Sequence, residues 1–404
     1  MNFYPIWPIL AVFVGLFWLA RFRLFAAADT PPTQQVRRLQ TIDGLRGYLA
    51  LSVMLHHAAI YHLWLRDGVW NVPPSRTYTI LGTGGVAVFF MITGYLFWGG
   101  LIDKRGRMDW ARLYLGRLFR IAPLYLFAIL VMVVLVMMHA DWHLKVPFGE
   151  FLNELAPWLA LGLLTSGDLN GHPATMILTA GVTWSLRYEW IFYLSLPILA
   201  VAAGRGVVRT AIVLVVLATT FYLTYLGRFY FLSPIELTFV TLFLIGMACA
   251  SLDRHDRKPR INDTAASSIV VAMLAILFLT CSSGYSPRAI ALLGISFYLV
   301  ISGCTLFGIL THRASRRLGN ISYGIYLLQG LVLAVLFQSQ IVRSFALVSP
   351  VRHWAIILLG SAVLVGIATI THAWIERPGV VLGKRLARLL PTTAPDKIPA
   401  VEAT

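Results

Sequence analysis

Eleven predominantly apolar runs, each of 18 to 23 residues, divide this chain: about 3–20, 43–64, 80–101, 121–138, 184–203, 207–226, 232–250, 265–282, 289–311, 321–338 and 353–375. About 20 apolar residues is the length an α-helix needs to cross the hydrocarbon core of a bilayer. No water is present there to bond the backbone, so a spanning run of this kind must be helical. The fold dictated is an all-α polytopic membrane protein of about eleven transmembrane helices. Charged residues are 12% of the chain, about half their share in soluble domains. No stretch is polar and long enough to form a separate soluble domain.

Positive charge sets the orientation. A net charge of +16 would suggest nucleic acid as the partner of a soluble protein, but its placement here argues otherwise. With the N-terminus outside, the inner segments hold 24 of the 33 Lys and Arg residues and the outer segments 7; Arg46 and Arg187 sit at membrane edges. This bias predicts N-out, C-in, with the bilayer and not nucleic acid as the surroundings. Dropping one span would invert every later loop and spoil the bias. The first run, Phe3 to Ala20, has no basic residues before it and Arg21 and Arg23 after it, so it reads as a retained helix and not a signal peptide. Cys249, Cys281 and Cys304 lie inside apolar runs, at spacings that imply neither a disulfide framework nor a metal site. The region 139–183 contains a shorter apolar piece, Leu155 to Leu164, broken by Pro157. It is expected to be an outer-face amphipathic or re-entrant segment serving as an acceptor-side lid. The organisation is thus an extra N-terminal helix with a basic loop (1–40), a membrane domain (41–380) and a cytoplasmic tail (381–404) that is disordered at its end.

The second run is unusual because ionisable groups lie within it. Such groups are costly in a spanning helix and point to function. Arg46 and His57 are eleven residues apart, which is within ~20° of whole turns and ~16 Å of rise. They share a face, with Arg46 near a membrane edge and His57 near mid-depth. His56 lies ~80° to one side of Arg46 and is the weaker candidate. Asp43, three residues before Arg46, is placed to hold its guanidinium.

Four further stretches carry polar groups into apolar surroundings. The glycine-punctuated run from Gly82 to Gly94 either lets helices approach closely or leaves room for an acyl chain. Arg117 and Arg120 share a helix face; they are positive-inside anchors or a guanidinium clamp for phosphates. Trp184, Ser185, Glu189 and Tyr193 open the fifth span. There Glu189 pairs with Arg187 or another helix, orients an imidazole, or binds acceptor hydroxyls. Ser322, Tyr326 and Gln329 share a face of the tenth span. Glu376, in Glu-Arg-Pro, ends the last span and is expected to pair with a neighbouring arginine.

Taken in order, these motifs resemble the membrane acyltransferase-3 family over about residues 41–380. The resemblance rests on Asp43-Gly-x-Arg46-x10-His57, Val-Ala-Val-Phe-Phe-x3-Gly94-Tyr, Arg117-x2-Arg120-x2-Pro-Leu-Tyr, Trp184-Ser185-Leu-x2-Glu189-x3-Tyr193, Ile-Ser322-Tyr323-x2-Tyr326-Leu and Ile-Glu376-Arg-Pro. It implies a ten-helix core, to which the run at 3–20 is an addition, in a bacterial inner-membrane enzyme of the glycan O-acetyltransferase type. The implied chemistry is transfer of an acyl group, acetyl from acetyl-CoA in the first instance, to a hydroxyl of a cell-surface or exported glycan, free or lipid-linked. Acyl-CoA is then a co-substrate on the cytoplasmic side, with no bound cofactor and no metal. His57 is implied as the catalytic base or acyl relay, with Arg46 and Glu189 beside it. Arg46, Asp43, Arg117 and Arg120 would bind the donor. Trp184, Ser185, Tyr193, Tyr326 and Gln329 would support the acceptor and the site, and Gly94 and Glu376 would be structural. The chain departs from the family at Gln329, where histidine is common, and at Arg187, where a small uncharged residue is usual. The competing readings are acylation of a small molecule such as a macrolide, a transporter with an Arg/His/Glu path, and a membrane scaffold. No internal inverted repeat favours the transporter.

Overall fold

A computed structural model describes residues 4–29, 37–203, 206–226, 233–254 and 261–391. Among these residues the protein is helical, and its only strand-like feature is an isolated bridge between Leu169 and His172. The helices are α1 (Trp7–Leu19), α2 (Arg37–Asp67), α3 (Arg76–Asp103), α4 (Trp110–His139), α5 (Phe148–Leu159), α6 (Trp184–Ala203), α7 (Gly206–Leu226), α8 (Pro234–Asp253), α9 (Asp263–Thr280), α10 (Pro287–Ile301), α11 (Arg313–Asn320), α12 (Ser322–Gln338), α13 (Gln340–Val348), α14 (Pro350–Thr371) and α15 (Arg377–Leu389). The tail end at 392–404 and the middle of the first basic loop lie outside the described residues.

Each of the eleven apolar runs falls on a helix. Among the described residues, six helices are long and apolar enough to cross a bilayer: α3, α4, α6, α8, α9 and the continuous stretch 350–389. The α11–α12 pair, bent by 63°, makes a seventh if it is one span, and α1, α10 and part of α7 are shorter apolar helices. The 31-residue α2 is too polar to count by composition. It is the helix that carries Asp43, Arg46 and His57. The run at 289–311 is helical only to Ile301. Beyond it the Asp263 carboxylate accepts from the backbone N–H and the hydroxyl of Thr305 (2.6 Å each), and Ser267 Oγ accepts from Phe307 N (3.0 Å), fixing a loop in place of further helix.

Glycines set how closely the helices approach. A Cβ on Gly94 would collide with the Phe243 carbonyl, and one on Gly246 with the Met91 carbonyl, so α3 and α8 meet backbone to backbone. Small residues allow this van der Waals packing where no hydrophobic drive exists between helices in lipid. The close-approach reading of the glycine run therefore holds at Gly94. Likewise α11 rests on α2: a Cβ on Gly319 would meet the Asp43 carbonyl, one on Gly44 the Leu310 carbonyl, and one on Gly47 the backbone and Cβ of Leu318.

The N-terminal helix is fastened to this same α11. Arg317, 3% exposed, donates from Nη1 to the carbonyls of Ala20 (2.7 Å), Arg21 (3.2 Å) and Phe22 (3.0 Å). The guanidinium thus bonds carbonyls at the end of α1, where helical acceptors run out of donors; the Phe22 carbonyl also accepts from Phe25 N at 3.2 Å. Its Nε and Nη2 engage Asp29 at 2.8 and 2.9 Å in a fork-to-fork pair. Arg313 adds a third bond to Asp29 at 2.6 Å. The Arg317 hydrogen bond, with Arg313 beside it, holds the Asp29 carboxyl well below the usual carboxylate range.

The region 139–183, expected on the outer face, is folded. Trp158 is buried and donates to the Gly167 carbonyl (3.2 Å), and Tyr125 donates to the Trp158 carbonyl (2.8 Å). Asn170 is fully buried and is held by Lys145 N, the His143 carbonyl and Glu154. A 3₁₀ turn, Thr175–Thr179, follows and packs onto α12.

Candidate active site

In the C-terminal half of α2, His57 is partly buried and lies beside Gln329 of α12, with Nδ1 3.4 Å from Gln329 Oε1. Gln329 is fully buried and donates from Nε2 to the Tyr326 carbonyl at 2.8 Å. With its amide nitrogen so engaged, Gln329 offers an acceptor to His57. This pairing favours the tautomer with the proton on Nδ1 and the lone pair on Nε2. The Trp70 ring lies nearly parallel to the imidazole, 6.5 Å between centroids. Neighbouring His56 has a different setting: its Nδ1 bonds the Tyr78 carbonyl at 2.9 Å and its ring is pressed on Gly82.

The region 139–183 is packed close to this histidine. A Cβ on Gly330 would collide with Thr179, so the 3₁₀ turn sits directly on α12 one residue beyond Gln329. Tyr61, one turn past His57, donates to the Ile177 carbonyl at 2.9 Å. Tyr326 and Ser185 share a hydroxyl–hydroxyl bond at 2.8 Å, and both also reach the Val182 carbonyl. This links α12, α6 and the end of the outer region.

The other end of α2 holds a charge cluster. Arg46 lies within electrostatic reach of Arg120, Asp43, Glu189 and Arg117. Asp43 interacts with Arg46, Arg120 and Arg316. Tyr193 donates to Glu189 Oε2 at 2.7 Å, and the Arg117 guanidinium stacks 4.9 Å from the Phe97 ring centroid, with Phe97 against Tyr193 at 4.7 Å. Tyr323 donates to the Ile121 carbonyl at 2.9 Å, next to Arg120. Four arginines thus surround two carboxylates. No ion pair within 4.0 Å is closed among these six residues.

Several residues sit elsewhere than the sequence led us to expect. Glu189 is not beside His57. It is one helical turn beyond Ser185, ~6 Å deeper along α6, and belongs to the arginine cluster. Asp43 does not clasp Arg46 but interacts with it through space. Trp184 is 40% exposed and packs on Phe239 and Tyr188, at 5.2 and 5.8 Å, away from Gln329 and His57. Glu376 is fully buried and pairs with His372 Nδ1 at 3.5 Å inside a π-helical turn, not with an arginine. Sequence reasoning missed Trp70, Tyr323 and Arg316. Trp70 lies on a loop with no periodicity to reveal it. Arg316 shares a basic triplet with Arg313 and Arg317, and only the α11 packing separates their roles. Among the described residues no group of three or more His, Cys, Asp or Glu is placed to hold a metal ion.

Spanning helices with an imidazole and an arginine cluster on one face of a polar helix define a membrane-embedded catalytic or transport site. The comparisons decide between these. Residues 39–372 match the family model for the acyltransferase domain Acyl_transf_3, and the chain belongs to this acyltransferase family. No curated protein and no solved structure matches it. The protein is a multi-pass membrane acyltransferase, and the family points to transfer of acyl groups to hydroxyl acceptors.

Proposed function

We propose that the protein O-acylates a cell-surface or exported glycan, taking acetyl from acetyl-CoA at the cytoplasmic side of a bacterial inner membrane. One observation carries this reading: α2 presents a free imidazole Nε2 at one end and an arginine-rich cluster ~16 Å away at the other. A thioester at the end of a long arm, with phosphates at its far end, matches that separation.

In this reading Arg46, Arg117 and Arg120 hold the donor phosphates, and Asp43 and Glu189 keep the guanidinia apart and oriented. Planar guanidinia suit phosphate because they bond it in pairs. His57 Nε2 removes the proton from the acceptor hydroxyl as its oxygen attacks the thioester carbonyl. The C–O bond forms, the tetrahedral intermediate collapses, the C–S bond breaks, and the departing thiolate takes the proton from His57. Gln329 holds the imidazole in the required tautomer, and Tyr326 and Ser185 hold Gln329 and the outer region in place. The outer region, with Trp184 at its edge, lies on the acceptor side.

The test is acetyl-CoA consumption by the purified protein in nanodiscs, with and without a glycan extract. Acceptor-dependent release of free coenzyme A thiol supports the reading. Its absence in a protein that binds no acetyl-CoA contradicts it. A positioned base contributes roughly 10²–10⁴-fold, so His57→Ala is expected to lower turnover by at least ~100-fold while the protein still inserts.

A further inference from the structure

The arginine cluster is larger than the family resemblance implied, and the additional member comes from α11. Arg313 and Arg317 of this helix face Asp29 and the end of α1. Arg316 lies ~60° round the helix from Arg313 and ~100° from Arg317. It interacts with Asp43 of α2, and its Nε is buried with no hydrogen-bond partner. Its position is tightly determined. Its neighbour Ser315 is bonded to Tyr48 at 3.0 Å, and three residues on Gly319 lies against the Asp43 carbonyl. Both contacts tie α11 to the turn of α2 that holds Asp43 and Arg46.

The charge ledger shows what this position requires. Asp43 interacts with Arg46, Arg120 and Arg316, and Glu189 with Arg46, Arg117 and Arg120, and no ion pair is closed among these six residues. Four guanidinia against two carboxylates are an excess of positive charge, which is costly where it is buried. The buried donor on Arg316 also lacks an acceptor. Both deficits are removed by the same chemistry, a polyanionic ligand with phosphate oxygens. Asp43 precedes Arg46 on α2, so Arg316 occupies the end of the cluster farthest from His57.

We infer that Arg316 is a specificity-determining residue that binds the nucleotide phosphates of the acyl donor, making the enzyme select coenzyme A thioesters over thioesters that lack them. This rests on the proposed use of acyl-CoA. Phosphates held beside Arg316 leave the thioester arm pointing along α2 past Arg46 toward His57.

The experiment measures binding of two probes, acetyl-CoA and S-acetylpantetheine, to the full chain in nanodiscs. S-acetylpantetheine keeps the thioester arm and lacks the phosphates. Three variants are compared with wild type: Arg316→Gln, Arg316→Lys and, as a control on the same helix, Arg313→Gln. A charge-assisted bond to phosphate predicts about tenfold or more weaker binding of acetyl-CoA by Arg316→Gln. Partial recovery is expected in Arg316→Lys, no change in Arg313→Gln, and no change for S-acetylpantetheine in any variant. Equal weakening for both probes, as from a shifted α11, would overturn the inference, and so would unaltered acetyl-CoA binding in Arg316→Gln. Failure of the donor reading itself gives a different result, in which wild type binds acetyl-CoA no better than S-acetylpantetheine.

Discussion

His57 depends on a partner 272 positions away in the chain. Gln329→Leu removes the acceptor for Nδ1–H and frees the imidazole to adopt the other tautomer. Loss of one neutral hydrogen bond of ~0.5–1.5 kcal/mol predicts a roughly three- to tenfold fall in kcat, with KM for acetyl-CoA unchanged. Steady-state kinetics with the two parameters resolved check this; a raised donor KM with kcat intact would place Gln329 on the donor side. At this scale the sequence was partly legible. The eleven-residue interval put Arg46 and His57 on one face, and the pairing with Gln329 needed the packing of α12 on α2. Glu189 shows the limit most clearly. Apolar patterning identified its helix but not the depth at which α6 begins, so the carboxylate was expected one site too far out. Arg316 was hidden for a related reason, since three arginines within five residues look alike until α11 has a partner on each side.

The helices were readable because a lipid-facing run has little choice of structure, and each of the eleven runs lies on one. Their ends were less readable: α10 stops early because Asp263 captures Thr305, and the last span continues through a π-helical turn into α15. Close helix contacts make sharp predictions. Gly94→Leu forces α3 away from the Phe243 carbonyl, and overpacking of this kind costs typically 1–3 kcal/mol. A lowered thermal midpoint in detergent, with weaker recovery of folded protein, is the expected result. Arg317→Ala removes two of the bonds to Asp29, leaving Arg313, and the donor shared by the carbonyls of Ala20, Arg21 and Phe22. One charge-assisted bond is worth about 1.5–3 kcal/mol, so α1 is expected to detach, seen as new protease cleavage between α1 and α2. The outer region responds to pH through His172. Burial, with His139 at 5.2 Å ring to ring, holds the His172 imidazole below its ordinary value. A base depressed in the folded state contributes stability that is fully present above the unfolded value of ~6.5. That contribution falls away as pH drops below it. Corrected for the slower intrinsic exchange at low pH, the protection of amides over 168–180 is therefore expected to fall between pH 7 and pH 5, and His172→Phe is expected to flatten the change.

The molecule as a whole divides labour along one helix. α2 spans from an arginine cluster braced by α11 to a histidine set by α12, and α1 is tied to α11 by Arg317. The N-terminal helix is thus joined to the helix that supports the Asp43–Arg46 turn, although the family match begins only at residue 39. Composition made the membrane class plain, and the order of motifs made the family plain. The sequence separated Arg46 from His57 along α2, but it did not show that Glu189 joins the arginine end. The proposed positive-inside orientation puts the arginine end toward cytoplasmic acyl-CoA and the histidine end toward the exported acceptor. The most direct measurement is mass spectrometry of surface glycans from a strain lacking the gene, complemented with wild type or with His57→Ala. The account predicts that the mass increment of an acetyl group disappears on deletion and returns only with wild type. Acetylation restored by His57→Ala, or no glycan altered by the deletion, would contradict it.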